Sequence, residues 1–209
     1  MSSLIFTTDE TQAFVATDTL AAFDGRPAFF TTKAFPLPHL RMVIAGTGLA
    51  GFLDHWLVSI NTSPVRDIDD LNSHAPAGLA LVWGIFKKQF PGMTTETTTV
   101  YHFGFSENTG KMRSFAYPSE QSFAPKLLDY GPGVKPLCVV RDGWEFPADI
   151  PELMNQQRSI QAKLPTQERV YIGGEIQIIH LTVAGFHLYR SAQFDDFEEQ
   201  ETAIYKSLR

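Results

Sequence analysis

The stretch from Leu40 to Trp56 constrains the fold of this chain more than any other. An apolar run rich in strand formers (Met42, Val43, Ile44) enters the glycine-rich corner Gly46-Thr47-Gly48-Leu49-Ala50-Gly51. Beyond it Phe52, Trp56, Leu57 and Ile60 recur at helical spacing. Strand, tight turn and helix N-terminus follow from that pattern. The glycines allow positive φ and close backbone approach, and the helix start offers unpaired N–H groups to an anion or a developing oxyanion. Two chemistries compete for such a corner. Gly46, Gly48 and Gly51 spell G-x-G-x-x-G, which suits dinucleotide binding and hence an oxidoreductase. The same corner suits oxyanion stabilisation in a hydrolase. A structural reading also stands, in which the glycines only pack a helix onto a sheet.

The rest of the chain decides between them. Residues 4–8 and 12–18 are β-like runs around the polar turn Asp9-Glu10-Thr11, a hairpin at the N-terminus. Asp24-Gly25-Arg26-Pro27 is a further turn, leading into an extended run over Ala28–Phe35 that carries Lys33. Two helices follow the glycine corner. The first is expected over Leu49–Ile60; the second has Leu71, Ala75, Leu79, Val82 and Phe86 on one face and is expected to begin or kink at Pro76.

Strands return over Thr97–Ser106 and Lys111–Tyr117. Ser122–Leu128 reads as a third strand or an extended crossing into a loop at Gly131-Pro132-Gly133. Asp149-Ile150-Pro151-Glu152 opens a helix to Lys163, with Ile150, Leu153, Gln157, Ile160 and Leu164 along its stripe. Gly174–Val183 and Phe186–Phe194 form a hairpin. A final helix opens at Asp195, its acidic start and its Lys206 and Arg209 end suiting the macrodipole. Strands therefore come in hairpins rather than alternating with helices, which predicts an antiparallel α+β layout. The dinucleotide reading then lacks its scaffold, because Ser63-Pro64-Val65-Arg66 makes a poor second strand ahead of Asp67.

Composition narrows the chemistry. A chain of 209 residues fits one domain, 1–209, and 17 phenylalanines predict a bulky core. Net charge of −6, with no basic run longer than Lys87-Lys88, argues against nucleic acid as the partner. The single cysteine, Cys138, excludes an internal disulfide and any cysteine-cluster metal site. His180 and His187 face each other on the last hairpin without a third ligand, so no metal is expected, and no cofactor either. No G-x-S-x-G marks a nucleophile elbow. The expectation is a cytoplasmic protein with no membrane span.

Four positions in order then resemble the proteasome β-subunit-like N-terminal-nucleophile hydrolases: Ser2 at the start of the first strand, Asp18 at the end of the second, Lys33 beyond it, and the Gly46-Thr47-Gly48 corner before the first helix. The resemblance extends over the whole element order. It implies a four-layer αββα sandwich of two antiparallel sheets, association into a homo-oligomer, and a peptide or small amide as substrate. It also implies that Ser2, exposed by removal of Met1, is the nucleophile, with serine in place of the usual threonine. No propeptide is expected ahead of it. Gly131-Pro132-Gly133 stands where the family has a glycine-serine-glycine loop, and Pro132 has no hydroxyl to offer.

The chemistry is coherent. A serine hydroxyl is a poor nucleophile until a base takes its proton, and an α-amino group titrates near pH ~8, within reach of physiological pH. A Lys33 ammonium would push that amine towards its neutral form, Asp18 would balance Lys33, and the backbone of Gly46, Thr47 and Gly48 would hold the oxyanion. The alternative is a non-catalytic assembly or scaffold subunit of the same fold. Each residue also has a plainer role: Ser2 as an ordinary second residue, Asp18 in strand-end turn chemistry, Lys33 as an edge-strand charge.

Overall fold

A computed structural model describes residues 2–93 and 96–207. Met1, whose removal the expected Ser2 nucleophile requires, and Arg209, expected to close the last helix, lie outside the described residues. The first half runs β1 (Leu4–Thr8), β2 (Gln12–Asp18), β3 (Leu20–Phe23), β4 (Arg26–Phe30), β5 (Ala34–Leu37), β6 (Met42–Gly48), α1 (Phe52–Asn61) and α2 (Ile68–Gln89). The second runs β7 (Thr98–Phe105), β8 (Met112–Pro118), β9 (Lys126–Leu127), β10 (Gly131–Lys135), α3 (Ile150–Gln161), β11 (Glu175–Thr182), β12 (Gly185–Gln193) and α4 (Phe197–Ser207). Two five-stranded sheets result, ordered β10-β1-β2-β11-β12 and β5-β6-β7-β8-β9, with β3-β4 as a separate hairpin. Every pairing in them is antiparallel. The mixed fold with antiparallel sheets, expected from the hairpin spacing, is present.

Strand periodicity explains why so many strands read as continuous apolar runs. In β6, Val43 and Ala45 join Phe6, Val15 and Phe103 in a cluster shared by the two sheets, while Met42 and Ile44 turn to the other face and pack with α1 and α2. In β1, Leu4 and Phe6 face that shared cluster, and Ile5 packs with Ile150, Leu153 and Met154 of α3. A strand buried on both faces needs apolar side chains at both parities. Most of the 17 phenylalanines serve these interiors. Phe6 and Phe103 meet across the sheets with ring centroids 5.0 Å apart, and Phe52, Trp83 and Phe86 interlock under the helices at 4.9 to 5.9 Å.

Four local expectations change. Lys33 is not inside one long strand: Thr31-Thr32-Lys33 is a link between β4 and β5, which belong to different sheets. α2 begins at Ile68 rather than Pro76, because Asp67 caps it by accepting the Asp70 N–H at 2.8 Å and its core face already starts at Ile68 and Leu71. Gly131-Pro132-Gly133 is no loop but part of the edge strand β10, where Gly133 lies opposite Phe6 and a Cβ would come within 2.0 Å of the Phe6 ring. An edge position also tolerates the missing N–H of Pro132. Ser122–Leu128 holds only the two-residue strand β9, since Ser122 and Phe123 take left-handed φ of 53° and 59°.

His180 and His187 do sit opposite one another on β11 and β12, but His180 stacks on Phe14 and bonds Gln12 at 2.9 Å. No helix among the described residues is long and apolar enough to cross a membrane.

His102, on β7, is fully buried beneath α1 and accepts the indole N–H of Trp56 at 2.9 Å through Nε2. Its proton therefore sits on Nδ1. Burial pushes the imidazole down to about 3 from its ordinary 6.5. The unfolded chain binds a proton there that the folded chain refuses, so the stabilisation present above pH 6.5 is lost as pH falls towards 3. We expect urea unfolding between pH 6.5 and 4 to lose about 1.4 kcal/mol per pH unit from this group, and H102Q to lack that component of the slope. Parallel pH profiles for the two proteins would remove His102 as its source.

Candidate active site

Asp18 ends β2 with its side chain fully buried, and three donors converge on it. Oδ1 accepts from Lys33 Nζ at 2.8 Å and from the Ser3 backbone N–H at 2.9 Å; Oδ2 accepts from the Gly173 N–H at 3.2 Å. Lys33 also donates to the Leu20 carbonyl at 2.6 Å and is 7% exposed. A buried carboxylate is tolerable only when its lone pairs are satisfied and its charge matched, and both conditions hold here. Burial moves the Lys33 ammonium below its ordinary value, while the charge and hydrogen bond of Asp18 oppose that movement without cancelling it. Lys33 is thus held as a cation that gives up its proton more readily than a surface lysine.

The same carboxylate positions the chain's first strand. Ser3 is bound through its N–H to Asp18, and its hydroxyl donates to Gln157 Oε1. Gln157, from α3, in turn donates to the Pro136 carbonyl. Successive side chains of an extended segment point to opposite sides. Ser3 accordingly faces α3, and Ser2 lines a cleft of about 430 Å³ together with Lys33. Ser2 is 7% exposed, and among the described residues its hydroxyl has no hydrogen-bond partner. Gln157 and Gly173 were not singled out as site residues from sequence. A signal existed for the first: a glutamine inside the apolar stripe of α3, where a buried amide must find polar partners.

The glycine corner closes the cleft from the other side. Gly46 and Gly48 line it. The Gly46 N–H is already engaged, donating to the Lys33 carbonyl at 3.1 Å. Strand alternation turns the Thr47 N–H away, towards β7, and returns the Gly48 N–H to the side of Gly46. Gly48 has φ of +109°, and a Cβ there would meet the Thr97 carbonyl at 2.3 Å. Only glycine fits. Thr47 is buried, and its carbonyl accepts the Thr98 hydroxyl at 3.0 Å.

The dinucleotide reading of Gly46, Gly48 and Gly51 fails at this point. Its strand, β6, lies between antiparallel neighbours, β5 and β7, so no parallel βαβ crevice exists at the corner. Asp54 in the first turn of α1 also places a negative charge where a pyrophosphate would sit. Among the described residues no group of three His, Cys, Asp or Glu side chains is arranged to hold a metal ion.

No protein-family model matches the chain, and no curated protein sequence matches it. Solved structures do. An Anbu (Gly-1) mutant from Hyphomicrobium sp. strain MC1 superposes with a TM-score of 0.60 at 14% identity, over 100% of this chain and 95% of that one. Anbu, described as an ancestral beta-subunit, from Yersinia bercovieri gives 0.58 at 11% identity, over 98% and 92%. The shared property is the fold. These neighbours correct the resemblance drawn from the sequence: the likeness is to Anbu, which is proteasome-like but a family distinct from the proteasome β-subunits. Ser2, Asp18, Lys33 and a glycine corner were too few landmarks to separate the two.

Removing one partner of the buried pair leaves an uncompensated charge. We expect D18N to lower unfolding free energy by about 3–5 kcal/mol, and D18N/K33M to recover most of that loss. Urea denaturation of the single and double variants checks this. A D18N protein as stable as wild type would show that the pair does not organise the site.

Proposed function

We propose that this cleft hydrolyses amide or peptide bonds, with Ser2 as the nucleophile once Met1 has been removed. One observation carries the reading: Ser2 and Lys33 line the same cleft, and Asp18 behind them binds both the lysine and the backbone next to the serine. The Ser2 α-amine takes the hydroxyl proton as Oγ attacks the carbonyl carbon. The Lys33 ammonium beside it favours the neutral amine that this step requires. Negative charge developing on the carbonyl oxygen is met by the Gly48 N–H, on the cleft side of β6 and without the partner that Gly46 has. The α-ammonium then gives its proton to the leaving nitrogen as the C–N bond breaks, and an acyl ester remains on Ser2. Water, activated by the same amine, releases the acid and restores the hydroxyl.

The chain acts, in this reading, as a single domain over 1–209. Its three interiors, one between the sheets and one beneath each set of helices, support a four-layer αββα sandwich. Self-association in the cytoplasm belongs to the same proposal. A second reading, a non-catalytic assembly subunit, is favoured by the exposed apolar side chains Val58, Leu81 and Ile85 on α1 and α2, which suit contact with another subunit.

Intact mass and amidase assays separate the two. Hydrolysis requires the mass of the chain lacking Met1, and S2A is expected to cut kcat/KM on amide substrates by roughly three orders of magnitude or more with the fold unchanged. Equal turnover by S2A sinks the mechanism. A native protein that retains Met1 sinks it too, and leaves the assembly reading.

A further inference from the structure

We infer that the cleft is built for a substrate whose side chain carries a positive charge on an apolar stem, as in an arginyl or lysyl amide. For the fate of the scissile bond this rests on the hydrolase reading above; for what the cleft binds it rests on the lining alone. Four lining residues are charged: Asp24, Lys33, Asp54 and Glu96. Lys33 is already matched by Asp18 at 2.8 Å. Three carboxylates therefore face the cleft without a cation of the protein to balance them. Each is exposed, and among the described residues none of the three makes a hydrogen bond or an ion pair. Other acids of this protein are committed: Asp69 to Arg113, Asp196 to Arg158, Glu175 to Arg190.

The three acids come from separate parts of the chain, and the fold brings all three to the lining of one cleft. Asp24 sits at the tip of the β3–β4 hairpin, Asp54 in the first turn of α1, and Glu96 just ahead of β7. The apolar component comes from the same hairpin. Phe23 and Phe29 line the cleft and are 64% and 48% exposed, although each could bury a large apolar area. The hairpin is held at its base, where Leu20 N–H donates to the Gly173 carbonyl at 3.1 Å, Thr31 N–H donates to the Thr19 carbonyl at 2.8 Å, and Phe30 stacks on Phe197 of α4. A long cationic side chain answers both features. Its methylenes or guanidinium plane lie against phenyl rings, and its charged head meets carboxylates. An acidic side chain would add to the unbalanced charge and be rejected.

Binding and cleavage are read separately on the folded protein. Uncleaved ligands acetyl-arginine amide, acetyl-norleucine amide and acetyl-glutamate amide are titrated into S2A by calorimetry at low and physiological salt. The matching reporter amides are assayed with the unmodified protein. We expect the arginine ligand to bind about tenfold tighter than norleucine, the glutamate ligand to bind more weakly than either, and the preference to fall with salt. A D24N/D54N/E96Q variant, its fold checked by circular dichroism, loses the preference, and F29A weakens the arginine and norleucine ligands together. Equal affinity for arginine and norleucine overturns the inference even if reporter amides are cleaved. An arginine preference in binding with no cleavage of any reporter supports the inference and overturns only the hydrolase reading.

Discussion

The carboxylate of Asp18 ties together parts of the chain that no continuous element connects. Lys33 reaches it from the link between β4 and β5, Ser3 from the start of β1, and Gly173 from the approach to β11. These segments serve both five-stranded sheets. Because the carboxylate is fully buried, water cannot replace a missing donor, and each lost contact leaves an unmatched charge or lone pair in a low-dielectric interior. One ion pair thereby links the backbone beside Ser2, the lysine and the approach to the glycine corner. The Lys33 carbonyl extends the chain of constraints by binding the Gly46 N–H, so a single residue links carboxylate and corner.

Away from that point the interiors are apolar. The two sheets share an interior rich in phenylalanine, and each has a second buried face against helices. Polar atoms inside such packing are tolerated where they join elements. His102 connects β7 to Trp56 of α1, and Gln157 connects α3 to Ser3 and Pro136. Both brace the cleft's surroundings: one ties the helix that follows the glycine corner to β7, the other ties Ser3, just ahead of β1, to α3. Support of this kind suits the reaction proposed for the cleft, which requires a hydroxyl, an amine and an amide N–H to be placed around one carbonyl.

The cleft itself has two different linings. Its deep side is charge-balanced and hydrogen-bonded, with Lys33 answering Asp18. Its rim, carrying Asp24, Asp54, Glu96, Phe23 and Phe29, is unbalanced in charge and leaves aromatic surface in water. Balanced interior groups are explained by stability alone. Unbalanced rim groups gain nothing of that kind for the folded state, which is why the rim informs about a ligand while the buried pair informs about architecture.

The sequence by itself determined the local order of elements. The N-terminal hairpin, the strand–corner–helix unit at Gly46–Gly51, the helix after Asp149 and the last hairpin all follow from apolar period and turn residues, which depend on neighbours within a few positions. The candidates Ser2, Asp18 and Lys33 were also legible as residues. The resemblance also implied that Asp18 would balance Lys33; what it left out was the Gly173 N–H and Gln157 from the far end of the chain, because sheet order brings β10 and β11 beside β1 and β2 from more than a hundred residues away. The corner's division of labour, with the Gly46 N–H spent on Lys33 and that of Gly48 facing the cleft, likewise needed the start of β5 to be known. Gly131-Pro132-Gly133 shows the limit most clearly. Its composition reads as a loop, and only the approach of the Phe6 ring makes it a strand edge. Local periodicity is a property of adjacent residues, whereas charge pairing, cleft lining and strand-edge partners belong to contacts between distant ones, which only the tertiary structure decides.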